Sequence, residues 1–350
     1  QMERIASNPD VRFVFQWKQV RNVGGNSSPL FSGTRRYVAK QDTGSGIAST
    51  LVEDLGNTVD MGDPDALRDF VAWGKTNYPS DHYALVLWNH GAGWMPTRGV
   101  RPPVRGISYD EDTGSYMDPW EVSQGLAGQK VDILAYDACL MQGAEDLLEL
   151  SSHADYIVGS EENTPGPGYP YHTVFKPFVD SPDRAVPDLA KSLVTAFHTF
   201  YASGTYSDWA LHHSVLDCSQ VPAFQFALDN FALSLTNNSI GTLMNDVRNA
   251  STLIAPIDGY RYYDLDQIAE KTASLSTVPA VTTTANALRT AIANMTVLSQ
   301  SNTEGAHMRG VSIEFSRSNR FNGYASDYAN LRLSTLTHWD DFLSNPTANP

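Results

Sequence analysis

The chain of 350 residues predicts an α/β fold, with a mostly parallel central sheet carrying helices on both faces and a helix-rich C-terminal part. Three observations lead there. Apolar runs at 83–89, 131–136 and 155–160 have the length and the Val/Ile/Leu/Tyr content of buried strands. Helix-opening signals, Asp63-Pro64 and Asp118-Pro119, alternate with them. A hydrophobic content of 41%, with 14 Phe, 16 Tyr and 7 Trp, supplies a substantial core and excludes general disorder.

The elements follow in order. Residues 11–20 read as a strand, followed by the Gly-rich loop at 24–28. Residues 35–40 and 49–54 read as a hairpin joined through Gly44-Ser45-Gly46. After Asp63-Pro64, the residues Leu67, Phe70, Val71 and Trp73 give a helix its apolar side. Strand 83–89 leads into a Gly/Pro/Arg-rich loop at 91–105, and 106–110 reads as a brief strand. Asp118 caps the next helix, with Glu121 in its first turn. Strand 131–136 precedes a helix expected to begin near Leu140, with Met141, Ala144, Leu147 and Leu148 at helical spacing. Beyond about residue 180 helices are expected at 187–202, 221–236 and 283–296, with strands at 209–216 and 310–315. A division into a catalytic core at 1–180 and a C-terminal part at 181–350, adding strands, is the expected organisation.

The formal charge of −15 argues against nucleic acid or an anionic membrane as partner. Two cysteines, Cys139 and Cys218, exclude a disulfide framework. No apolar run approaches the roughly 18 residues that would span a bilayer. The sequence opens Gln1-Met2-Glu3-Arg4 without a signal peptide, and neither oligomeric state nor a required cofactor is legible.

His90 and Cys139 end two of the apolar strands and lie 49 positions apart. A thiol and an imidazole at the ends of neighbouring buried strands make a nucleophile–base pair. In caspases the His likewise lies roughly 50 residues upstream of the Cys. The helix expected at Leu140 would aim its positive end at the sulfur and favour thiolate. The amides of Gly91 and Cys139 are candidate oxyanion donors, and Asp137 is a candidate carboxylate near the first specificity pocket. Each residue also has a plainer reading: Cys139 as a core thiol, His90 as a structural imidazole, Asp137 as a cap.

Competing readings exist. Asp-Thr-Gly-Ser occurs at 42–45 and 112–115, the tetrapeptide of aspartic proteases, but polar residues precede both copies. His212 and His213 are adjacent and point to opposite faces of a strand, which disfavours a chelating pair. Cys218 reads as a packed thiol. A catalytically silent peptide-binding protein is the non-enzyme alternative.

Trp88-Asn89-His90-Gly91-Ala92-Gly93-Trp94 and Asp137-Ala138-Cys139-Leu140-Met141 resemble the two signature blocks of the clostripain family of cysteine peptidases. Family-like stretches at 54–56, 61–64, 106–110, 160–162, 165–169 and 310–313 extend the resemblance from about residue 10 to about 345. It implies a caspase-like three-layer sandwich and a His90/Cys139 dyad cleaving peptide or protein substrates after Arg or Lys, with Asp137 in the first pocket. Where the family commonly carries an acid, this chain has Pro167, so Glu161 and Glu162 become the substitute acids. The resemblance further implies self-cleavage at Arg98, Arg101 or Arg105, a calcium ion as in some relatives, and a bacterial, secreted or cell-envelope protein.

Overall fold

The computed structural model describes residues 1–20, 30–44, 46–95, 106–238, 240–255 and 261–350. Strands β1 (Val14–Gln19), β2 (Gly33–Val38) and β3 (Thr50–Gly56) form an antiparallel meander. Then come α1 (Pro64–Asn77), β4 (Ala84–Trp88), α2 (Pro119–Gly125), β5 (Val131–Asp137), α3 (Ala144–Leu150) and β6 (Ala154–Gly159). Short helices α4 (Tyr171–Val174) and α5 (Lys176–Asp180) lead into α6 (Val186–Tyr201) and β7 (His212–Asp217). Helices α7 (Val221–Asn237) and α8 (Gly241–Ala250) precede β8 (Tyr262–Asp264), α9 (Leu265–Leu275), α10 (Pro279–Met295), β9 (Thr296–Ser301) and β10 (Ser312–Glu314).

The central sheet has the order β4-β5-β6-β7-β9. Strands β4, β5 and β6 are parallel, and β7 is antiparallel to both β6 and β9, so β7 alone runs against the rest. The pattern of β5 shows why three layers form. Leu134 and Tyr136 enter one apolar core, lined by Leu67, Val122, Leu147 and Phe231. Ile133 and Ala135 enter the other, with Val174, Leu193 and Phe197. Alternate residues of one strand thus feed two cores, which forces helices onto both faces. Both cores draw residues from either side of residue 180.

The expected caps are in place. Asp63 accepts from the Asp65 amide at 2.8 Å, and Asp118 and Glu121 form a capping box. Elsewhere the structure departs from expectation. Residues 106–110 form no strand, only an isolated bridge between Ile107 and Met117. The helix expected at Leu140 begins at Ala144, because Leu140 holds a left-handed φ of 60° that no helix continues through. Helix α10 starts at Pro279 rather than 283, and β9 follows it without a break. The loop at 24–28 lies outside the described residues.

The interior also encloses acids. Glu145 Oε1 accepts from the Glu314 amide and the Tyr328 hydroxyl, each at 2.9 Å. Glu314 Oε1 accepts from the Ser316 amide at 2.9 Å and the Tyr324 hydroxyl at 3.0 Å. Burial raises both acids to about 7 and Asp264 likewise to about 7, while burial lowers His198 to about 4 and His212 to about 3.

The sign of the pH dependence follows from proton counting. Between its ordinary value and 7 each raised acid binds more protons folded than unfolded, so its contribution falls as pH rises. Each lowered imidazole binds fewer protons folded, so its contribution grows as pH rises from about 3 to 6.5. Thermal unfolding should therefore show stability climbing to about pH 4.5 and then declining to about pH 7, because three raised acids outweigh two lowered imidazoles. Glu314→Gln should flatten the decline, and a melting temperature rising steadily to pH 8 would contradict the assignment.

Candidate active site

Strands β4 and β5 pair with Ala84 opposite Ile133 and Trp88 opposite Asp137, an offset of 49 at every pair. His90 and Cys139 differ by the same 49, so each stands two residues beyond the last pair at the carboxyl end of the sheet. His90 is exposed, and Cys139 is a partly exposed thiol outside any disulfide. Gly91 lies on the Cys139 backbone: a Cβ there would strike the Cys139 carbonyl oxygen and come within 2.9 Å of Met141 Cγ. Only glycine permits that approach. Tyr262 fastens the same loop, donating to the Ala92 carbonyl and accepting from the Met95 amide, each at 3.1 Å. Among the described residues nothing accepts from the Gly91 amide, which leaves it available to an incoming oxyanion.

The helix dipole expected at the sulfur is absent, since α3 starts five residues after Cys139 and is only seven residues long. Another donor takes its place. The Thr164 amide donates to Cys139 Sγ at 3.3 Å, and the Thr164 hydroxyl lies 3.6 Å from it. That N–H would stabilise a thiolate, while a thiol at the same place reaches the Thr164 carbonyl oxygen at 3.9 Å. Leu140, left-handed at φ 60°, turns the chain sharply after the thiol, and its amide donates to the Glu162 carbonyl at 3.2 Å. Thr164 carries no motif and sits 25 positions downstream, so the sequence offered no signal for it.

Asp137 ends β5 with only 3% of its surface exposed. Its Oδ1 accepts from the Tyr169 amide at 2.8 Å, while Oδ2 has no hydrogen-bond partner. Burial raises its pKa to about 6, against the lowering pull of the Tyr169 amide and the Tyr171 hydroxyl. Gly168, at φ 68°, lies so close that a Cβ would sit 2.8 Å from Oδ2. The Tyr201 hydroxyl donates to the Gly168 carbonyl at 2.6 Å and holds the turn that Gly168 closes onto Pro165. Pro167 is exposed at the tip of that turn.

The substitute acids face elsewhere. Glu161 is wholly enclosed, its Oε1 accepting from the Gly310 amide at 2.8 Å beside His212 Nε2 at 3.3 Å. Burial and the neighbouring Asp264 carboxylate push its pKa well up. Glu162 accepts from the Asn163 amide at 2.8 Å and the Ala255 amide at 3.1 Å. Both tie interior segments together, so a role in substrate binding is not what their surroundings serve. Arg98, Arg101 and Arg105 lie outside the described residues. In the two Asp-Thr-Gly-Ser segments, Asp42 accepts from the Gly44 amide at 3.0 Å and Asp112 pairs with Lys18 at 3.3 Å. Among the described residues no group of three or more His, Cys, Asp or Glu is arranged to hold a metal. No described helix is long and apolar enough to cross a membrane.

A His and a Cys that follow neighbouring parallel strands at the carboxyl edge of a helix-flanked sheet are the residue types a cysteine peptidase uses. The chain belongs to the clostripain family, whose sequence pattern matches residues 34–345. It is 27% identical to clostripain of Hathewaya histolytica over 290 residues, covering 69% of this chain and 54% of that protein, about half the relative's length. The fold resembles a secreted C11 cysteine protease of Bacteroides thetaiotaomicron bound to an irreversible peptide inhibitor. There the TM-score is 0.67 and identity 20%, over 89% of this chain and 86% of that one. An inactive zymogen of a C11 protease from Parabacteroides distasonis matches at TM-score 0.63 and 18% identity, over 87% of this chain and 84% of that one.

Two outcomes are expected. Gly91→Ala should lower kcat/KM by roughly 100-fold through displacement of the His90 loop, with a melting temperature close to the parent's. Unchanged activity would show that the Gly91–Cys139 contact does not set the geometry. Iodoacetamide near neutral pH should label Cys139 and spare Cys218, whose thiol burial pushes up to about 12. Peptide mapping that found Cys218 labelled first would reverse the assignment.

Proposed function

We propose that this chain is a cysteine endopeptidase that hydrolyses peptide bonds after Arg or Lys through a Cys139/His90 dyad. The observation that carries the reading is the common offset of 49 shared by the β4–β5 register and the two residues. Cys139 Sγ attacks the scissile carbonyl carbon as His90 takes the thiol proton, and the Gly91 and Cys139 amides receive the oxyanion. The tetrahedral intermediate collapses, His90 protonates the leaving amine, and a thioester remains. Water, deprotonated by His90, then attacks the thioester, releases the new carboxylate and restores the thiol.

Asp137 supports the specificity. Its Oδ1 already holds the 165–169 turn, and its Oδ2 is a buried acceptor suited to a guanidinium or ammonium group. With Glu161 and Glu162 turned inward and Pro167 in place of an acid, Asp137 stands alone in that task. Turned on its own chain, the same preference would cut after Arg98, Arg101 or Arg105, and full activity of an intact triple Arg→Ala variant would remove that step. A bacterial source and export to the cell surface or beyond accord with the secreted protease it resembles.

Fluorogenic peptides that differ only in the residue before the scissile bond test the reading. Arg and Lys substrates should be cleaved, Asp and Leu substrates poorly, with all turnover lost in Cys139→Ala. Asp137→Asn should cost about 2–5 kcal/mol of discrimination between Arg and Leu. Because Asp137 ionises near 6, kcat/KM for the Arg substrate relative to the Leu substrate should rise through that pH and lose the rise in Asp137→Asn. Equal pH profiles for the two substrates would separate Asp137 from the pocket.

A further inference from the structure

We infer, on the reading of His90 and Cys139 as a dyad, that Tyr262 and Asp264 of strand β8 are positioning residues that set its spacing. Tyr262 grips the loop after His90, Asp264 grips the segment beside Cys139, and one short strand joins the two. Lying two apart on β8, their side chains leave the same face of the strand. Both are enclosed, with 2% and 0% of their surfaces exposed.

On the imidazole side, the Tyr262 hydroxyl donates to the Ala92 carbonyl and accepts from the Met95 amide, each at 3.1 Å. A Cβ on Gly93 would lie 2.8 Å from that hydroxyl oxygen and 3.1 Å from the Leu140 carbonyl oxygen. The hydroxyl therefore sits where the loop leaving His90 meets the residue that follows the thiol.

On the thiol side, two consecutive amides serve two acids. The Arg309 amide donates to Asp264 Oδ2 at 2.7 Å and the Gly310 amide to Glu161 Oε1 at 2.8 Å, so the carboxyls stand side by side. The Arg309 guanidinium turns away, to Asp266 and Glu270. His212, whose Nε2 lies 3.3 Å from Glu161, accepts the Glu161 amide at Nδ1 and is therefore neutral. Two enclosed carboxyls without a cation between them hold together by sharing a proton. Glu161 opens the segment whose Glu162 carbonyl accepts from Leu140 and whose Thr164 amide reaches the Cys139 sulfur. The Ala255 amide on Glu162 at 3.1 Å, and the Ser312 amide on the Gln142 carbonyl at 3.0 Å, fix β8 and its partner β10 to the same side.

The test compares variants of the whole chain by hydrolysis of an Arg fluorogenic peptide, by the pH dependence of Cys139 alkylation with iodoacetamide, and by hydrogen exchange. Tyr262→Phe removes only the hydroxyl. Its kcat should fall roughly tenfold with KM within about twofold, and exchange should rise in 91–95. Asp264→Ser keeps a capping oxygen for α9 while withdrawing the carboxyl from Glu161. Its kcat should fall by a similar factor, with exchange rising in 160–164. Both should move the apparent thiol pKa toward that of His90→Ala. Tyr263→Phe strips a hydroxyl from the opposite face of the same strand, where Tyr263 packs on Phe315, and should match the parent throughout. Parent-like kcat and thiol profile in Tyr262→Phe and Asp264→Ser, beside a shifted profile in His90→Ala, would overturn the inference alone. An equal loss of kcat in Tyr263→Phe would reduce β8 to general structural support and overturn it too. A His90→Ala profile identical to the parent's would remove the dyad itself, and the brace with it.

Discussion

Everything at the candidate site depends on the parallel register between β4 and β5. An offset of 49 residues between paired positions is also the separation of His90 and Cys139, so the ladder delivers the two segments that carry them to the same edge of the sheet. A slip of one residue would turn the core side chains of β4 to the other face, because strand side chains alternate. The register is therefore fixed by the burial of Leu85 and Leu87 on one side and Val86 on the other. Core packing and site geometry are the same constraint.

One loop completes what the strands begin. The chain leaving β6 passes Thr164, whose amide reaches the Cys139 sulfur, and then Gly168 and Tyr169, which enclose and bond Asp137. The Cys139 thiol and the Asp137 carboxylate are thus held by a single segment, itself anchored from α6 through the Tyr201 hydroxyl. The arrangement joins Cys139 and Asp137 mechanically, so a change at the turn is felt at both. Asp137 remains costly, since its burial raises its pKa to about 6.

Much of this was legible in the sequence because it is written locally. The buried strands of the central sheet appear as continuous apolar runs, and Asp63 and Asp118 announce their helices with proline beside them. His90, Cys139, Gly91 and Asp137 stand out because strand ends and glycines mark them. What escaped depends on contacts distant in sequence. Thr164 reaches the sulfur only because β6 returns its loop there. Glu161 and Glu162 read as pocket acids, yet partners at Gly310, His212 and Ala255 draw them inward. The start of α3 was misjudged because Leu140 suits a helix in composition while its backbone is left-handed. Strand β9 was missed because it follows α10 directly, with neither glycine nor proline to mark the change.

The central claim is that β4 and β5 bring His90 to Cys139 as a working pair. Its most direct test is the pH dependence of Cys139 alkylation by iodoacetamide, compared between the parent and His90→Ala. A dyad predicts an apparent thiol pKa well below the ordinary ~8.5 in the parent, returning toward that value when the imidazole is removed. Identical profiles in the two proteins, both near the ordinary thiol value, would contradict the account.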